Sequence, residues 1–425
     1  MDALRADHLG CYGYYRDTSP NLDKLTKDAA TFKNVVAQSS WTLPSFSSLF
    51  TATYPSVHKC DNEKNKLGIF NITIAQILKT QGYRTCAFVE SPYLGKEFGL
   101  DKGFDNLYLE PYKKTEQAVN KLLDWIKKNR THKLFILLHT YVTHTPYTPK
   151  KPYNKLYDPL YSGNVDPEVE HYASWDTKEN GYFEDAELTP IDKHHIIALY
   201  DGAIRYVDDI IGSLIVSLKK NHLYKNSLII ITSDHGDSFY EHKMWSHARH
   251  IYDEVLRIPL FIKFPRSRFK GREVQSQVRS IDIVPTILDV LKLPKKQITQ
   301  GKSLLPLLTP EDGRNAQDRI AYSETRRGGK LQRKIVSLRT IRYKYIYHFF
   351  PDGVHFIPSK EELYDLKNDP KETRDLIKQE RRLGLYMRAK VVNYLKNCEK
   401  ISSPAVKTNI SQETYEKLRA LGYLH

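Results

Sequence analysis

The chain has 425 residues, of which 40% are hydrophobic, enough for one large domain or two ordinary ones with a sizeable core. No apolar run approaches the roughly 20 residues that a membrane helix needs, so we predict no transmembrane segment. The first residues lack the pattern of a secretory signal, and a cytoplasmic location is therefore expected. The net charge of +15 is diffuse and accompanies no nucleic-acid motif, so we expect no nucleic-acid partner and interpret the charge as a solvated lysine-rich surface, or else as attraction to an anionic substrate or lipid surface. The four cysteines form no CxxC pair, so we expect reduced thiols rather than a zinc or redox site.

Short β-branched runs alternate with segments of helical period over the first part of the chain. This alternation is typical of the α/β class, with a large, mostly parallel central sheet flanked by helices. Apolar residues spaced by three and four predict a long amphipathic helix over residues 194–220. The predicted strands cover residues 85–89, 134–139, 228–233 and 259–264.

Composition divides the chain into a larger and a smaller part. We predict an α/β catalytic domain over residues 1–311, with the charged stretch from Asp312 to Asp318 as the boundary. Residues 312–425 then form a C-terminal subdomain with a small antiparallel sheet and a helical tail that starts near Glu372. The polar stretch 150–190 has no sustained period, and we interpret it as a lid or substrate-facing loop, or else as an inert insertion. The strands of the small sheet are predicted at residues 335–340, 343–347 and 362–366.

The segment from Ile231 to Asp237 is the most informative one for chemistry. It is an apolar strand that ends in Asp234 and His235, followed by a glycine for the turn. Ligands bind at the carboxyl ends of strands in open α/β sheets, and an adjacent carboxylate and imidazole are suitable ligands for Mn²⁺ or Zn²⁺. The alternative is that Asp234 only caps the next helix.

Several other segments carry short motifs in a fixed order along nearly the whole chain. Asp2 opens the sequence, and Thr42 stands in the run Ser40-Trp41-Thr42-Leu43-Pro44-Ser45. The other segments, in chain order, are Ser19–Asp23, which precedes Thr42, and then Gly103–Asp105, His144–Tyr147, Tyr252–Pro259, Val284–Asp289, Gly301–Leu304 and Glu362–Leu366. Together with the Asp-His-Gly segment they resemble the landmarks of the sulfatase family, within the alkaline-phosphatase-like superfamily. Each match alone is weak, but the shared order makes the resemblance specific.

The resemblance implies roles for six residues. Asp2, Asp234 and His235 would ligate a divalent metal ion, and Thr42 would be both a ligand and the nucleophile. His144 and His247 would contact the oxygens and the leaving group of the substrate. Three other histidines compete for these roles: His139, His242 and His250. A histidine at the end of a strand, such as His139, is more typically a packed residue or one that supports the metal ligands from behind. Relatives with two metals need an aspartate four residues before His144, and Thr140 stands there, so one ion is expected. His235 favours Mn²⁺ or Zn²⁺, with Mg²⁺ or Ca²⁺ as alternatives.

The sequence departs from the family pattern at the nucleophile and at its neighbours. Typical sulfatases use a formylglycine made from Cys or Ser, whereas Thr42 cannot give that aldehyde. Phe46 replaces an arginine, Ala3 replaces a second aspartate, and residues 88–91 replace a segment with a substrate-binding lysine. With a threonine at the nucleophile position, the chain instead resembles the phosphodiesterases and the phosphoglycerol or phosphoethanolamine transferases of the superfamily, which form a phosphothreonine intermediate.

Three functional hypotheses follow from these departures. We expect first a metal-dependent hydrolase or transferase that acts on phosphate mono- or diesters. The alternative is a sulfuric ester hydrolase, and a further alternative is a non-catalytic binding protein on the same fold. The substrate is expected to be a small anionic ester or a lipid- or glycan-linked one, whereas the oligomeric state is left open.

The family resemblance also implies a buried strand before the aspartate at position 2. The sequence begins one residue ahead of Asp2, so either the start has been placed late or a central strand is missing. An absent strand would leave buried backbone groups on its neighbours unpaired, at about 1–3 kcal/mol each. If the strand is missing, we expect Asp2 to be poorly held and the metal site to be weakened.

Overall fold

The computed structural model describes residues 1–163, 165, 188–294, 299–309, 319–326, 333–350 and 358–420. The predicted boundary at residues 311 and 312 and most of the predicted 150–190 loop lie outside this part, so both stay predictions. The strands are β1 (Ala30–Val36), β2 (Asn65–Lys66), β3 (Tyr83–Val89), β4 (Asn106–Leu109), β5 (Lys133–Leu138), β6 (Ile229–Thr232), β7 (Ser238–Phe239), β8 (Trp245–Ser246), β9 (Arg257–Lys263), β10 (Glu273–Arg279), β11 (Ala321–Thr325), β12 (Lys334–Arg339), β13 (Tyr343–Phe349), β14 (Pro358–Asp365) and β15 (Val406–Lys407). The helices are α1 (Pro20–Leu25), α2 (Thr42–Thr51), α3 (Pro55–His58), α4 (Ile74–Thr80), α5 (Thr115–Asn129), α6 (Pro190–Lys220), α7 (Asp253–Leu256), α8 (Ile283–Val290), α9 (Arg381–Ile401) and α10 (Gln412–Ala420).

The predicted α/β fold class is confirmed, and one of its larger sheets has the strand order β10-β1-β9-β6. Strand β1 runs parallel to β10, whereas β9 runs antiparallel to both of its neighbours, β1 and β6. Almost every residue of β9 is buried. This burial on both faces explains its continuous apolar run, which predicts a strand but carries no information on the strand's direction.

The other larger sheet is parallel throughout, with the order β4-β3-β5. Helices α5 and α6 pack on it, because Leu122 and Trp125 of α5 and Leu218 of α6 share a cluster with Phe88 of β3. The predicted helix 194–220 is confirmed and starts four residues earlier, at Pro190. A capping box explains this start, since the hydroxyl of Thr189 accepts a hydrogen bond from the Asp192 backbone and the Asp192 carboxylate accepts one in return.

The backbone of Met1 and Asp2 joins the two larger sheets at the carboxyl ends of their strands. The Met1 nitrogen donates to the carbonyl oxygen of Thr232, the last residue of β6, at 2.9 Å. The Asp2 amide donates to the carbonyl oxygen of Thr140, two residues beyond β5, also at 2.9 Å. Asp2 is thereby brought to the edge of the sheets where ligands bind in α/β folds.

The predicted antiparallel sheet in the C-terminal part is confirmed, with the order β11-β12-β13-β14. Helix α9 packs on it in a cluster that also contains Tyr54 and Val57, so the smaller part shares its core with the larger one. The edge strand β11 also binds the segment that leads into α2. The amide of Glu324 donates to the carbonyl oxygen of Gln38 at 2.9 Å, and the hydroxyl of Ser323 donates to that of Ala37 at 2.6 Å.

No helix in the described ranges is both long enough and apolar enough to cross a lipid bilayer. The four cysteines form no disulfide, and three of them are buried.

Candidate active site

Three of the predicted metal ligands meet at the carboxyl ends of the strands. Asp2, Asp234 and His235 are buried, and their ligand atoms all lie within 4.8 Å of one another. The Nε2 atom of His235 is 3.4 Å from Asp2 Oδ1 and 3.4 Å from Asp234 Oδ2. Those three atoms make no hydrogen bond with any described residue. Buried polar atoms without partners are costly, so two carboxylates and an imidazole that converge in this way fit a divalent cation.

Electrostatics within this cluster also favour a cation. Burial, followed by the neighbouring carboxylate of Asp234, raises the pKa of Asp2 well above its ordinary value. Burial lowers the pKa of His235, but the carboxylates of Asp234 and Asp2 outweigh it, and the net shift is upward. Without a metal ion, the crowding of negative charge therefore favours the protonated forms of Asp2 and His235. A divalent ion would take the place of those protons.

Backbone contacts fix the tautomer of His235. Its Nδ1–H donates to the carbonyl oxygen of Gly236 at 2.8 Å, which leaves Nε2 as the lone-pair atom that faces the two carboxylates. Gly236 lies so close to α7 that a Cβ atom there would be 2.1 Å from the carbonyl oxygen of Glu254. The glycine after the Asp-His pair is thus required by a close approach between backbones.

Asp2 is held more firmly than the sequence suggests. Its carbonyl oxygen accepts a hydrogen bond from the hydroxyl of Thr143 at 2.6 Å, and its Oδ2 atom accepts one from His139 Nε2 at 3.0 Å. The hydroxyl of Ser233 donates to the carbonyl oxygen of Met1 at 2.7 Å. The expectation of a poorly held Asp2 is therefore wrong for this structure, because side chains next to β5 and β6 bind the Met1–Asp2 segment.

Thr42 lies beside this cluster as the first residue of α2. Its hydroxyl donates to Asp2 Oδ2 at 3.2 Å, and the residue is fully buried. Pro44 fits in the first turn, where a backbone donor is not needed. The positive end of the helix dipole favours negative charge at this position, and the hydroxyl of Ser45 donates to the carbonyl oxygen of Asp234 at 2.6 Å, so α2 is tied to the metal cluster.

His144 and His247 lie next to each other at the same place. Their ring centroids are 4.9 Å apart, and the ring of His247 is 4.4 Å from that of His235. Both residues are fully buried. Burial, and then the nearby His247, lower the pKa of His144 well below its ordinary value, so its imidazole is neutral. Its Nδ1–H donates to the carbonyl oxygen of Thr145 at 2.5 Å.

The three competing histidines take other positions. His139 binds Asp2 and stacks edge-on against Phe46, so it supports a predicted ligand. His242 instead bonds to Glu254 at 2.7 Å, and His250 lies 3.9 Å from the same carboxylate. All six residues to which the sequence assigned roles are thus brought to one place, whereas His242 and His250 belong to a separate cluster. The individual roles stay predictions.

The residues that replace the family's cations pack into the core. Phe46 packs edge-on against Phe50 and His139. In the segment 88–91, Glu90 accepts hydrogen bonds from the amides of Lys113 and Tyr141 and from the hydroxyl of Thr115. Neither Phe46 nor Glu90 therefore supplies the positive charge that the family's arginine and lysine would bring to Thr42.

Asp237 and Tyr147 are site residues to which sequence reasoning gave no role. Asp237 Oδ1 accepts a hydrogen bond from His247 Nδ1 at 3.1 Å, and its Oδ2 accepts one from the hydroxyl of Tyr147 at 2.5 Å. Both residues stand in the quoted motifs, two positions after His235 and three after His144. Proximity to those histidines was the available signal, but a local sequence does not show which long-range pairs form.

Comparisons with known proteins agree with this geometry. Residues 1–293 match the family model described as sulfatase, which is more than half of the chain. Residues 240–398 match the model described as the C-terminal part of N-sulphoglucosamine sulphohydrolase.

Known relatives extend over most of the chain. The uncharacterized sulfatase YidJ of Escherichia coli (strain K12) is 24% identical over 88% of this chain and 81% of its own length. Arylsulfatase K of Gallus gallus is 24% identical over 83% of this chain and 73% of its own. The solved structure of the phosphonate monoester hydrolase of Agrobacterium radiobacter has the same fold, with a TM-score of 0.76, 20% identity and 94% coverage of each chain. The three residues Asp2, Asp234 and His235 could hold the divalent metal ion that sulfatases generally bind, and the chain belongs to the sulfatase family of the alkaline-phosphatase-like superfamily, as an ester hydrolase.

Proposed function

We propose that this protein hydrolyses sulfate esters through the hydroxyl of Thr42. The observation that carries the proposal is the contact between Thr42 Oγ1 and Asp2 Oδ2 at 3.2 Å, beside the cluster of Asp234 and His235. A hydroxyl at a helix N-terminus, next to groups that fit a cation, is suited to attack an electron-poor ester centre. Sulfate as the ester is supported by the descriptions of the family models and by arylsulfatase K among the relatives.

The charges of the site favour an ester with a single negative charge. Asp2 and Asp234 together balance one divalent ion, and the imidazoles of His144 and His247 lie next to His235 of the same cluster. Because the pKa of His144 is lowered by burial, that ring adds no positive charge, and the buried carboxylate of Asp237 balances the proton that His247 donates. A monoanionic sulfate ester therefore meets less uncompensated charge in this buried site than a phosphate monoester dianion does. The proposal thus adopts the sulfuric ester hydrolase, the alternative from the sequence, in place of the phosphate mono- and diesters that the sequence favoured first.

The residues divide the chemical work as follows. The Thr42 oxygen attacks sulfur, its proton passes to Asp2 Oδ2, and the bond from sulfur to the ester oxygen breaks. The leaving oxygen takes a proton from the imidazolium of His247, and a sulfothreonine remains. Water then attacks sulfur and gives a proton to the imidazole of His247, while the Thr42 oxygen takes its proton back from Asp2 as its bond to sulfur breaks and hydrogensulfate leaves. A divalent ion held by Asp2, Asp234 and His235 would lower the pKa of the attacking hydroxyl and withdraw charge from the ester oxygens.

Phosphodiesters and phosphonate monoesters are the second candidate substrates. They also carry one negative charge, and an unmodified threonine is the specific observation in their favour. The likeness to the phosphonate monoester hydrolase in fold adds support at the level of architecture only. Mn²⁺ and Zn²⁺ are our proposed ions because His235 supplies a nitrogen ligand. The organic part of the substrate is proposed to be a sulfated sugar, on the description of the C-terminal family model.

A side-by-side assay tests the proposal. Purified protein with Mn²⁺ or Zn²⁺ is given 4-nitrophenyl sulfate, bis(4-nitrophenyl) phosphate and 4-nitrophenyl phosphate, and kcat/KM is measured for each. We expect the order sulfate, diester, monoester. A preference for the diester of more than tenfold would replace our first candidate with the second, and the monoester as best substrate contradicts the charge argument.

Two threonine variants of α2 separate catalysis from folding. Thr42→Ala is expected to lower kcat by at least about 1000-fold, because it removes the nucleophile. Thr51→Ala is the matched control, since Thr51 is also a buried threonine of α2 and its hydroxyl bonds to the carbonyl oxygen of Ser47 at 2.7 Å. Equal activity of Thr42→Ala and the wild type rules out the mechanism. No activity on any ester together with no metal-induced stabilisation would favour the binding-protein alternative.

A further inference from the structure

The buried carboxylate of Asp237 lies behind the imidazole of His247, and the inference drawn from it rests on the proposed function. We propose that Asp237 is a positioning residue that holds the imidazole of His247 against the reacting ester. Asp237 is fully buried. Its Oδ1 atom bonds to His247 Nδ1 at 3.1 Å and to the amide of Ser238 at 3.2 Å, while its Oδ2 atom is occupied by the hydroxyl of Tyr147 at 2.5 Å.

The carboxylate selects one orientation of the His247 ring. A carboxylate only accepts hydrogen bonds, so the Nδ1 atom of His247 has to carry its proton toward Asp237. The Nε2 atom then lies on the other side of the ring, which is flanked by His235 at 4.4 Å and His144 at 4.9 Å between ring centroids. The nitrogen that serves the ester is therefore the one not bound by Asp237.

The backbone on either side of His247 is strained, which indicates that its position is enforced. Ser246 and Ala248 have φ angles of 64° and 75°, in the left-handed region that non-glycine residues avoid. Such residues persist only where the surroundings hold them. The amide of Ala248 donates to the carbonyl oxygen of Ser40, two residues before Thr42, at 2.9 Å. The carbonyl oxygen of Ala248 accepts from the hydroxyl of Thr325 at 2.7 Å.

These contacts fix His247 at two levels. The backbone bond to Ser40 sets the position of the residue relative to the start of α2 and hence to Thr42. The bond to Asp237 sets the rotation of the ring. Asp237 is itself held, because the guanidinium of Arg5 donates to its carbonyl oxygen at 3.0 Å.

Tyr147 extends the arrangement to His144. The two residues are three positions apart in the loop after β5, and the hydroxyl of Tyr147 is bound by the same carboxylate that binds His247. One buried side chain thus links the two loops that carry the substrate-facing histidines. Loss of the carboxylate should misplace His247 first, since its Nδ1 atom contacts Asp237 directly.

The test compares Asp237→Asn with the wild type in the presence of metal. Asparagine keeps the shape but removes the negative charge, and its amide can be turned so that no acceptor faces His247. We expect kcat for 4-nitrophenyl sulfate to fall by about 100-fold, within the range expected for a misplaced acid–base group. KM should stay within about threefold of the wild-type value, and the metal-induced shift in Tm within about 1 °C of it. The loss should be greater on phenyl sulfate, whose leaving oxygen needs a proton more.

A matched control separates positioning from stability. Asp208 is an equally buried aspartate whose carboxylate binds the amides of Asn21 and Leu22, away from the site. Asp208→Asn is expected to lower Tm without changing the dependence on the leaving group. If Asp237→Asn and Asp208→Asn change kcat equally on both esters, Asp237 has a structural role only and the proposal is overturned.

Tyr147→Phe provides a second test of the role of Asp237 in case the Asp237→Asn variant does not fold. It removes the hydrogen bond that fixes the carboxylate, so Asp237 can turn away from His247 and kcat should fall by about 3- to 10-fold. Wild-type kcat in this variant would overturn the proposal. If the wild type itself hydrolyses no ester, the proposed function fails instead, so the two failures are distinguishable.

Discussion

Removal of one carboxylate from the metal cluster should abolish stabilisation by divalent ions. Asp2 Oδ1 and Asp234 Oδ2 lie within 4.8 Å of each other, which corresponds to a repulsion of about 3.5 kcal/mol at an effective dielectric constant of 20. A divalent ion at 100 times its Kd stabilises the folded state by about 2.7 kcal/mol. With an unfolding entropy of about 2.1 cal/mol/K per residue, that free energy raises Tm of a chain of this length by about 3 °C.

The assay is thermal unfolding after treatment with a chelator, with and without Mn²⁺ or Zn²⁺. The wild type should gain about 3 °C on adding the ion, whereas Asp2→Asn should gain less than about 1 °C. Without metal, Asp2→Asn should be at least as stable as the wild type, because the substitution removes a carboxylate whose pKa is raised by burial and by Asp234. Asp208→Asn is the control and should keep the full metal response. An equal gain for Asp2→Asn and the wild type would refute the assignment of this cluster as a metal site.

Three further predictions concern acid stability, a close backbone contact and a buried ion pair. Burial lowers the pKa of His58 to about 3, so as pH falls below about 6.5 the unfolded chain binds the proton before the folded chain does. The free energy of unfolding should therefore drop by about 2 kcal/mol between pH 7 and pH 5, as measured by urea titration. His58→Gln should make the free energy of unfolding less dependent on pH in this range. Gly236→Ala places a Cβ atom 2.1 Å from the carbonyl oxygen of Glu254 and should abolish the metal-induced rise in Tm, since His235 precedes it; an unchanged rise would contradict the close contact. Asp253→Asn leaves the buried Arg339, bound at 2.7 Å, without its counter-charge and should cost about 3–5 kcal/mol in chemical denaturation, whereas a loss under 1 kcal/mol would show that the pair contributes little.

Local sequence patterns predicted the elements of this fold well, because strand and helix signals are short-range. The long helix on the sheets and three strands of the C-terminal sheet lie where apolar spacing placed them. The direction of β9 was not available from such patterns, since it depends on how the chain returns from β6 through the loop that carries His247. Strands β1 and β10 were also not predicted, because Lys33, Asn34 and several polar residues of β10 interrupt the apolar pattern.

The candidate site was predictable only in part. Asp2, Thr42 and the Asp-His pair stand in motifs, and the structure brings them together as expected. Long-range pairs were not predictable, because nothing local shows that Asp237 binds His247 or that His139 binds Asp2. The preference for phosphate esters came from Thr42 with the Asp-His pair and from the replaced family cations, whereas the family models and the relatives favour the sulfuric ester alternative.

The bonds between the C-terminal sheet and the catalytic loops limit how the protein can be re-engineered. Thr325 of β11 donates a hydrogen bond to the carbonyl oxygen of Ala248, and the guanidinium of Arg339 in β12 donates to the carboxylate of Asp253. A chimera that imports the C-terminal segment of another sulfatase would bring in foreign partners for both contacts. A chimera intended to alter substrate choice should therefore transfer residues 246–253 together with the grafted sheet. Otherwise the loop that carries His247 will lose its hydrogen bonds to that sheet.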